Sequence, residues 1–365
     1  MAGAKKGNFR ELISPFLANK LLELEEIYGK ESNEYAGLAR QYIKSPSEDI
    51  ILSDDRRRHY ESEVNIEFEN KSVIGVERLY KKTVLLEPTT VCAAHCRWCL
   101  RGQYPVKTLT KDNLEHSVRY IGSDFLNKDV DEVLITGGDP LMSAPMLRET
   151  LELITKYAEN IKIIRIGSRV PFQDPNRIND QLLELFSSYN FRYELGVNVN
   201  HPVEFWKESI EALNSLKNIG FRIYNQNPLL KGVNDNFEVL RDLYSLLREN
   251  AIEAHYLFHA IPMRGMQHHR TSLERGARLS NQISSCGEFS GRAKPRYTVL
   301  SDIGKIVIYH DTIVDKDEKT NSLLLRSGFD YNLRKEWNPS WEKPESTIIG
   351  NDGMMLTWYK DGNDN

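Results

Sequence analysis

Three of the four cysteines in this 365-residue chain fall in one short run, Cys92-Ala-Ala-His-Cys96-Arg-Trp-Cys99. Thiolates spaced this closely on one loop can each take one iron of a cubane [4Fe–4S] cluster, which leaves the fourth iron open to a ligand that is not protein. A structural zinc site asks instead for four Cys or His ligands in two close pairs, and the one cysteine left is Cys286, with His95 inside the loop itself. Four cysteines are also too few for a disulfide framework in a chain of this size, so the clustering points to metal in a reducing compartment.

A second run, Gly137-Gly138-Asp139-Pro140, follows the apolar segment VLIT. Glycines there let backbone approach a ligand closely, and a carboxylate accepts hydrogen bonds from an ammonium group. By itself the run reads equally well as a tight strand-to-helix turn. Trp98, beside the last clustered cysteine, is either a stacking surface for a flat ligand or an ordinary packed aromatic.

From about residue 83, β-rich apolar runs (TVLLEP, DEVLIT, IKIIRIG, YELGVNVN, FRIYNQ, EAHYLFH) alternate with amphipathic helical patterns. Such alternation predicts βα units around a parallel sheet, an α/β fold of partial (β/α)6-barrel type. A barrel places its chemistry in the loops after the strands. The cysteine run, GGDP, GSR, NHP, NQNPLLKGVND and AIPMRGMQHHRT each follow one of the six strands in turn. Residues 1–75 read as a helical N-terminal extension ending in a charged connector, 76–295 as the barrel, and 296–365 as a C-terminal extension of strands and turns.

The chain is 40 % hydrophobic and 27 % charged, with a net charge of −4 and a pI near 6.2. That balance gives no reason to expect nucleic acid or an anionic membrane as partner, and favours a small molecule. The start, MAGAKKGNFRELISPF, carries no apolar signal-peptide core, and no apolar run nears the length of a membrane helix, so the expected compartment is the cytoplasm.

The cysteine spacing resembles that of radical S-adenosylmethionine (SAM) enzymes, in which SAM's methionine part ligates the open iron and electron transfer yields a 5′-deoxyadenosyl radical. GGDP then resembles the superfamily's methionine-binding motif, with Asp139 in the acidic position, and Trp98 stands where an aromatic lies near adenine. The segments CRWCLR, LITGGDPLM, IRIGSRVPFQDPNRI, NVNHP, NQNPLLKGVND, HHRTSLERG and SGRAKPRYTVL together resemble the lysine 2,3-aminomutase family, as does ISPFLANKLLE.

That resemblance implies pyridoxal 5′-phosphate (PLP) alongside SAM and the cluster, migration of an amino group from the α- to the β-carbon of a free amino acid, and an electron donor such as flavodoxin or ferredoxin. It implies Lys305, in SDIGK, as the PLP lysine, with Lys294 a weaker alternative. It makes Arg101 the partner of the substrate carboxylate, a task suited to a guanidinium fork; a surface arginine is the plain alternative. It sets Asn225 and Gln226 near the PLP phosphate, loosely likens Arg78, Lys81 and Lys82 to a phosphate-binding segment, and offers Ser168 and Arg169 as SAM or PLP contacts. A radical SAM enzyme of the same lineage without PLP is the alternative reading; a non-catalytic Fe–S or zinc module is disfavoured by GGDP and the barrel motifs.

Three departures from the family stand out. Asn236 follows Asp235 where the family has a zinc-binding cysteine, and no cysteine lies between Ser301 and Asn365, so a homo-oligomer is expected to be without the family's zinc clasp. Cys286 matches no ligand position and reads as a small apolar residue. Of two aspartates that hold the lysine side chain in lysine-specific members, the first is replaced by Ile261, and the second falls on Leu300, Ser301 or Asp302, of which only Asp302 keeps a carboxylate. The substrate is therefore expected not to be L-lysine.

Overall fold

The computed structural model describes residues 9–50, 66–78, 80–102 and 106–364. Most of the expected charged connector, residues 51–65, lies outside them. Two helices open the chain, α1 (Pro15–Tyr28) and α2 (Asn33–Tyr42). Each begins at a serine whose Oγ accepts a backbone N–H of the first turn, Ser14 from Leu17 and Ser32 from Tyr35, satisfying donors that helical bonding leaves free.

The barrel strands are β1 (Thr83–Thr89), β2 (Glu132–Gly137), β3 (Ile163–Gly167), β4 (Arg192–Val197), β5 (Arg222–Leu229) and β6 (Glu253–His259), all parallel and adjacent in chain order. They follow the six expected runs. Between them lie α3 (Lys111–Ile121), α4 (Ala144–Tyr157), α5 (Asp180–Ser187), α6 (Lys207–Asn218) and α7 (Phe237–Glu249), and α8 (Leu273–Ser285) comes after β6. The sheet stays open: Val76–Glu77 pairs antiparallel on β1, while β7 (Arg296–Ser301) runs parallel to β6 and β8 (Gly304–Val307) turns back on it.

Side chains alternate across each strand. Val84 and Leu86, Val133 and Ile135, and Ile164 and Ile166 are buried in one hydrophobic core with Leu114, Val118, Leu147 and Leu151 of the covering helices. The intervening residues, Thr83, Leu85, Leu134, Thr136, Arg165 and Gly167, line a cavity on the other face.

A separate four-stranded antiparallel sheet, β9 (Ile313–Asp317), β10 (Ser322–Asp330), β11 (Thr347–Ile349) and β12 (Met354–Lys360), ends the chain. The run KIVIYHDTIV is thus split between β8 and β9. Tyr359 on β12 meets the barrel end, its hydroxyl 3.0 Å from His259 Nδ1.

Candidate active site

The cavity has a volume of about 560 Å³ and sits at the C-terminal ends of the barrel strands. Cys92, Cys96, Cys99, Trp98, Arg101, Gly137, Gly138, Asp139, Gln226, Ile261 and Lys305 all line it. Residues separated by more than 200 positions in sequence meet there because each follows a strand of one parallel sheet.

The cysteine loop is held from two sides. Backbone N–H groups of Gly138 and Asp139 donate to the carbonyls of Thr89 (2.7 Å) and Val91 (2.8 Å). A Cβ at Gly138 would lie 2.4 Å from Val91 O, and Gly137 has φ +110° with Thr89 O 2.5 Å from where its Cβ would stand. The glycines therefore admit the start of the cysteine loop itself, a nearer cause than the ligand approach expected from sequence. On the other side, His95 N donates to Leu12 O and Arg97 N to Gln41 O, both at 2.8 Å. The buried Arg97 guanidinium adds bonds to Arg10 O, Phe9 O and the Glu48 carboxylate.

The Asp139 carboxylate is buried and accepts from Ser168 Oγ (2.8 Å) and from the backbone N–H groups of Leu141 (3.0 Å), Arg169 (2.7 Å) and Val170 (3.1 Å). Sequence reasoning gave it an ammonium to receive. The structure instead ties it to the turn after β3.

Among the described residues no three His, Cys, Asp or Glu side chains converge as a single metal ion requires. Thiols that each bind a separate iron need not converge. Burial raises Cys92 and pushes Cys99 up to about 11, and the neighbouring thiols reinforce both shifts. Thiolates gathered in so closed a site suit a group that brings its own positive charge. The buried Nε1 of Trp98 has no hydrogen-bond partner, a donor left for something in the cavity. The donor set therefore fits a cluster and a ligand beside it.

At the other end stands Lys305. Its Nζ lies 5.2 Å from the Tyr256 ring, 5.7 Å from Phe258 and 5.9 Å from Tyr80. Burial pushes its amine down to about 8, and nearby Arg165 adds to the shift. Such an amine is a ready nucleophile toward an aldehyde, the group PLP would present to it. Lys294 does not line the cavity. Arg165, missed by sequence reasoning, donates to Glu132 (2.7 Å) and to the Tyr224 hydroxyl (2.8 and 3.0 Å). Its signal was a charge at an inward position of the apolar run IKIIRIG.

Several expected residues are elsewhere. Asn225 falls on the core face of β5, where its side chain pairs with both backbone groups of Val199 and with Asn227, while its neighbour Gln226 faces the cavity. Asp302 sits in the turn between β7 and β8 and accepts from Ser346 Oγ at 2.8 Å; Leu300 lines the cavity in its place. Arg78 is buried against the Trp337 carbonyl, and Lys81 and Lys82 are exposed beside Asp129 and Asp131, so none of the three reaches the cavity. Arg101 does line it and is paired with Glu87.

The radical SAM superfamily profile matches residues 86–244, the stretch from the first barrel strand into α7. The fold and the three-cysteine loop are thus those of a radical SAM protein, and they imply a [4Fe–4S] cluster and SAM. A putative L-lysine 2,3-aminomutase of Aquifex aeolicus is 31 % identical over 281 residues, 74 % of each chain. The L-lysine 2,3-aminomutase of Methanococcus maripaludis is 31 % identical over 79 % of this chain and 63 % of its own, and the glutamate 2,3-aminomutase of Clostridioides difficile 29 % over 72 % and 59 %. The chain thus spans less than two thirds of these last two relatives. It belongs to the lysine 2,3-aminomutase family.

Proposed function

We propose that the protein is an isomerase, a PLP-dependent radical SAM aminomutase that moves the α-amino group of a free amino acid other than L-lysine to its β-carbon. The observation that carries this is Lys305, whose amine sits among the rings of Tyr80, Tyr256 and Phe258 and lines the same cavity as Cys92, Cys96 and Cys99. On this reading residues 1–75 are a helical N-terminal extension, 76–295 the radical SAM barrel, and 296–365 a C-terminal extension that carries the PLP lysine.

Cys92, Cys96 and Cys99 would hold the cluster, Trp98 and the turn at Gly137, Gly138 and Asp139 would flank SAM, and Lys305 with Gln226 would hold PLP. When bound, these groups supply one-electron cleavage chemistry and a ring that spreads unpaired spin. Arg101 binds the substrate carboxylate, exchanging part of its pairing with Glu87. Leu85, Leu134, Phe258 and Leu300 line the cavity and keep water from it. Ile261 and Leu300 give the substrate side chain an apolar seat, which suits a short neutral side chain. An amino group and a hydrogen exchange carbons, so the net reaction neither oxidises nor reduces the substrate, and a flavodoxin or ferredoxin need only supply the starting electron.

One observation favours a second reading, a radical SAM enzyme of this lineage without PLP: Asn225, Arg78, Lys81 and Lys82, the expected phosphate partners, do not line the cavity. Anaerobic reconstitution separates the two. A brown protein that cleaves SAM to 5′-deoxyadenosine, binds one PLP per chain and forms a β-amino acid supports the proposal. A cluster and SAM cleavage without PLP binding supports the second reading. No helix among the described residues is long and apolar enough to cross a membrane; the substrate is a small molecule and the compartment the cytoplasm.

A further inference from the structure

Of the three clustered thiols, Cys96 receives side-chain donors that the proposed reaction does not use. Arg169 Nη1 donates to its Sγ at 3.0 Å and Gln173 Nε2 at 3.3 Å. The Arg169 guanidinium is buried, stacked 5.2 Å from the Tyr42 ring and 5.1 Å from Trp98. Its Nη2 donates to Glu204 Oε2 at 2.6 Å and to Gln41 Oε1 at 3.0 Å. Glu204 is wholly buried, and its other oxygen accepts from Gln41 Nε2 (3.0 Å) and the backbone N–H groups of Asn200 (2.8 Å) and His201 (3.1 Å). A complete charge pair therefore lies behind one thiol, clamped between the N-terminal helices and the loops after β3 and β4.

Hydrogen bonds to ligand sulfur and local net charge are two of the terms that set an iron–sulfur potential, and they act strongly where water is excluded. A donor or cation beside the sulfur favours the electron-rich, reduced cluster. A carboxylate behind that cation offsets it.

We propose that Arg169, fixed by Glu204 and Gln41, acts with Gln173 as a positioning residue that sets the reduction potential of the cluster through Cys96. The N-terminal helices thereby take part in tuning the electron transfer, and Glu204 keeps the cation from making the cluster too easily reduced to cleave SAM. This rests on the cluster at the three cysteines and not on the amino acid substrate.

The test is an anaerobic redox titration of the reconstituted protein, without SAM or PLP, in which EPR of the reduced cluster gives the midpoint potential. Gln173→Leu removes a donor and should shift the midpoint to more negative values. Glu204→Gln leaves the cation uncompensated and should shift it the other way. Arg169→Met should move it negative, with Arg169→Lys closer to the parent. Iron and sulfide content equal to the parent's shows that a variant has assembled. Opposite shifts in Gln173→Leu and Glu204→Gln support the proposal; no shift in the assembled Gln173→Leu protein, or shifts of one sign in both, would overturn it. A parent chain that takes up no cluster would remove the cluster assignment itself, a result distinct from unmoved potentials.

Discussion

Leu300 and Lys305 are directly paired across the antiparallel β7–β8 hairpin, and both line the cavity. Cross-strand partners project from the same face of a sheet. The residue beside the amine is thus a leucine, and Asp302, the carboxylate nearest to Lys305 in sequence, is engaged by Ser346 in the turn. Gly304 makes so tight a hairpin feasible, with φ +119° at a place where a Cβ would lie 2.9 Å from the Phe329 ring.

Borohydride reduction of the PLP-loaded protein should fix the cofactor to the peptide containing Lys305. At pH 7 an ordinary lysine is neutral in roughly one molecule in several thousand, whereas an amine of pKa about 8 is neutral in about a tenth. The rate of PLP attachment to apoprotein should therefore rise with pH and level off above about 8, and Lys305→Ala should abolish it. Labelling of Lys294, or a rate still climbing steeply at pH 10, would show the amine to be another one.

Replacing Cys92, Cys96 or Cys99 singly by Ala should leave a protein that folds but loses the 5′-deoxyadenosine signal and most of its iron. Cys286 lies at the end of α8 and is absent from the cavity lining, so Cys286→Ala should keep full iron content. Iron analysis with the visible spectrum reads both outcomes.

Gly138→Ala should cost the cluster as well as stability, because its methyl would press on the backbone of Thr90 and Val91 just ahead of Cys92. Backbone must move, and a loss of about 1–3 kcal/mol with lowered iron uptake is expected. Gly220→Ala is the control: φ is +99° there but the space is open, so a loss of about 1 kcal/mol should leave iron content unchanged. Equal iron in both variants would separate the glycine motif from the cysteine loop.

The six strands were legible because a parallel sheet writes itself as short apolar runs, and its loops revealed themselves by residues that no turn requires. What escaped was set by contacts far apart in sequence. Asn225 and Gln226 are neighbours on one strand, and only the alternation of β5, with its register shift against β6 at that point, decides which faces the cavity. Gln41, more than 50 residues before the cysteine loop, meets Arg169 only because α2 packs across the barrel mouth, its Gly37 so close to His201 that a Cβ would lie 2.5 Å from the ring. Nor could sequence show that Asp139 is saturated by its own fold.

Ile261 lines the cavity in the loop after β6, Leu300 lines it beside Lys305, and neither can pair a distal ammonium group. A charge half-paired in a closed site costs several kcal/mol, worth orders of magnitude in specificity. L-Lysine should therefore be turned over poorly or not at all, and amino acids with short neutral side chains should be preferred. Lysine, glutamate, arginine, ornithine and small neutral amino acids should be assayed side by side for β-amino acid formation. Ile261→Asp with Leu300→Asp should raise kcat/KM for L-lysine by roughly a hundredfold or more, since two carboxylates would then meet the ammonium, while lowering it for the apolar substrates. Efficient turnover of L-lysine by the unaltered protein, with the others inert, would show that Ile261 and Leu300 do not select the substrate.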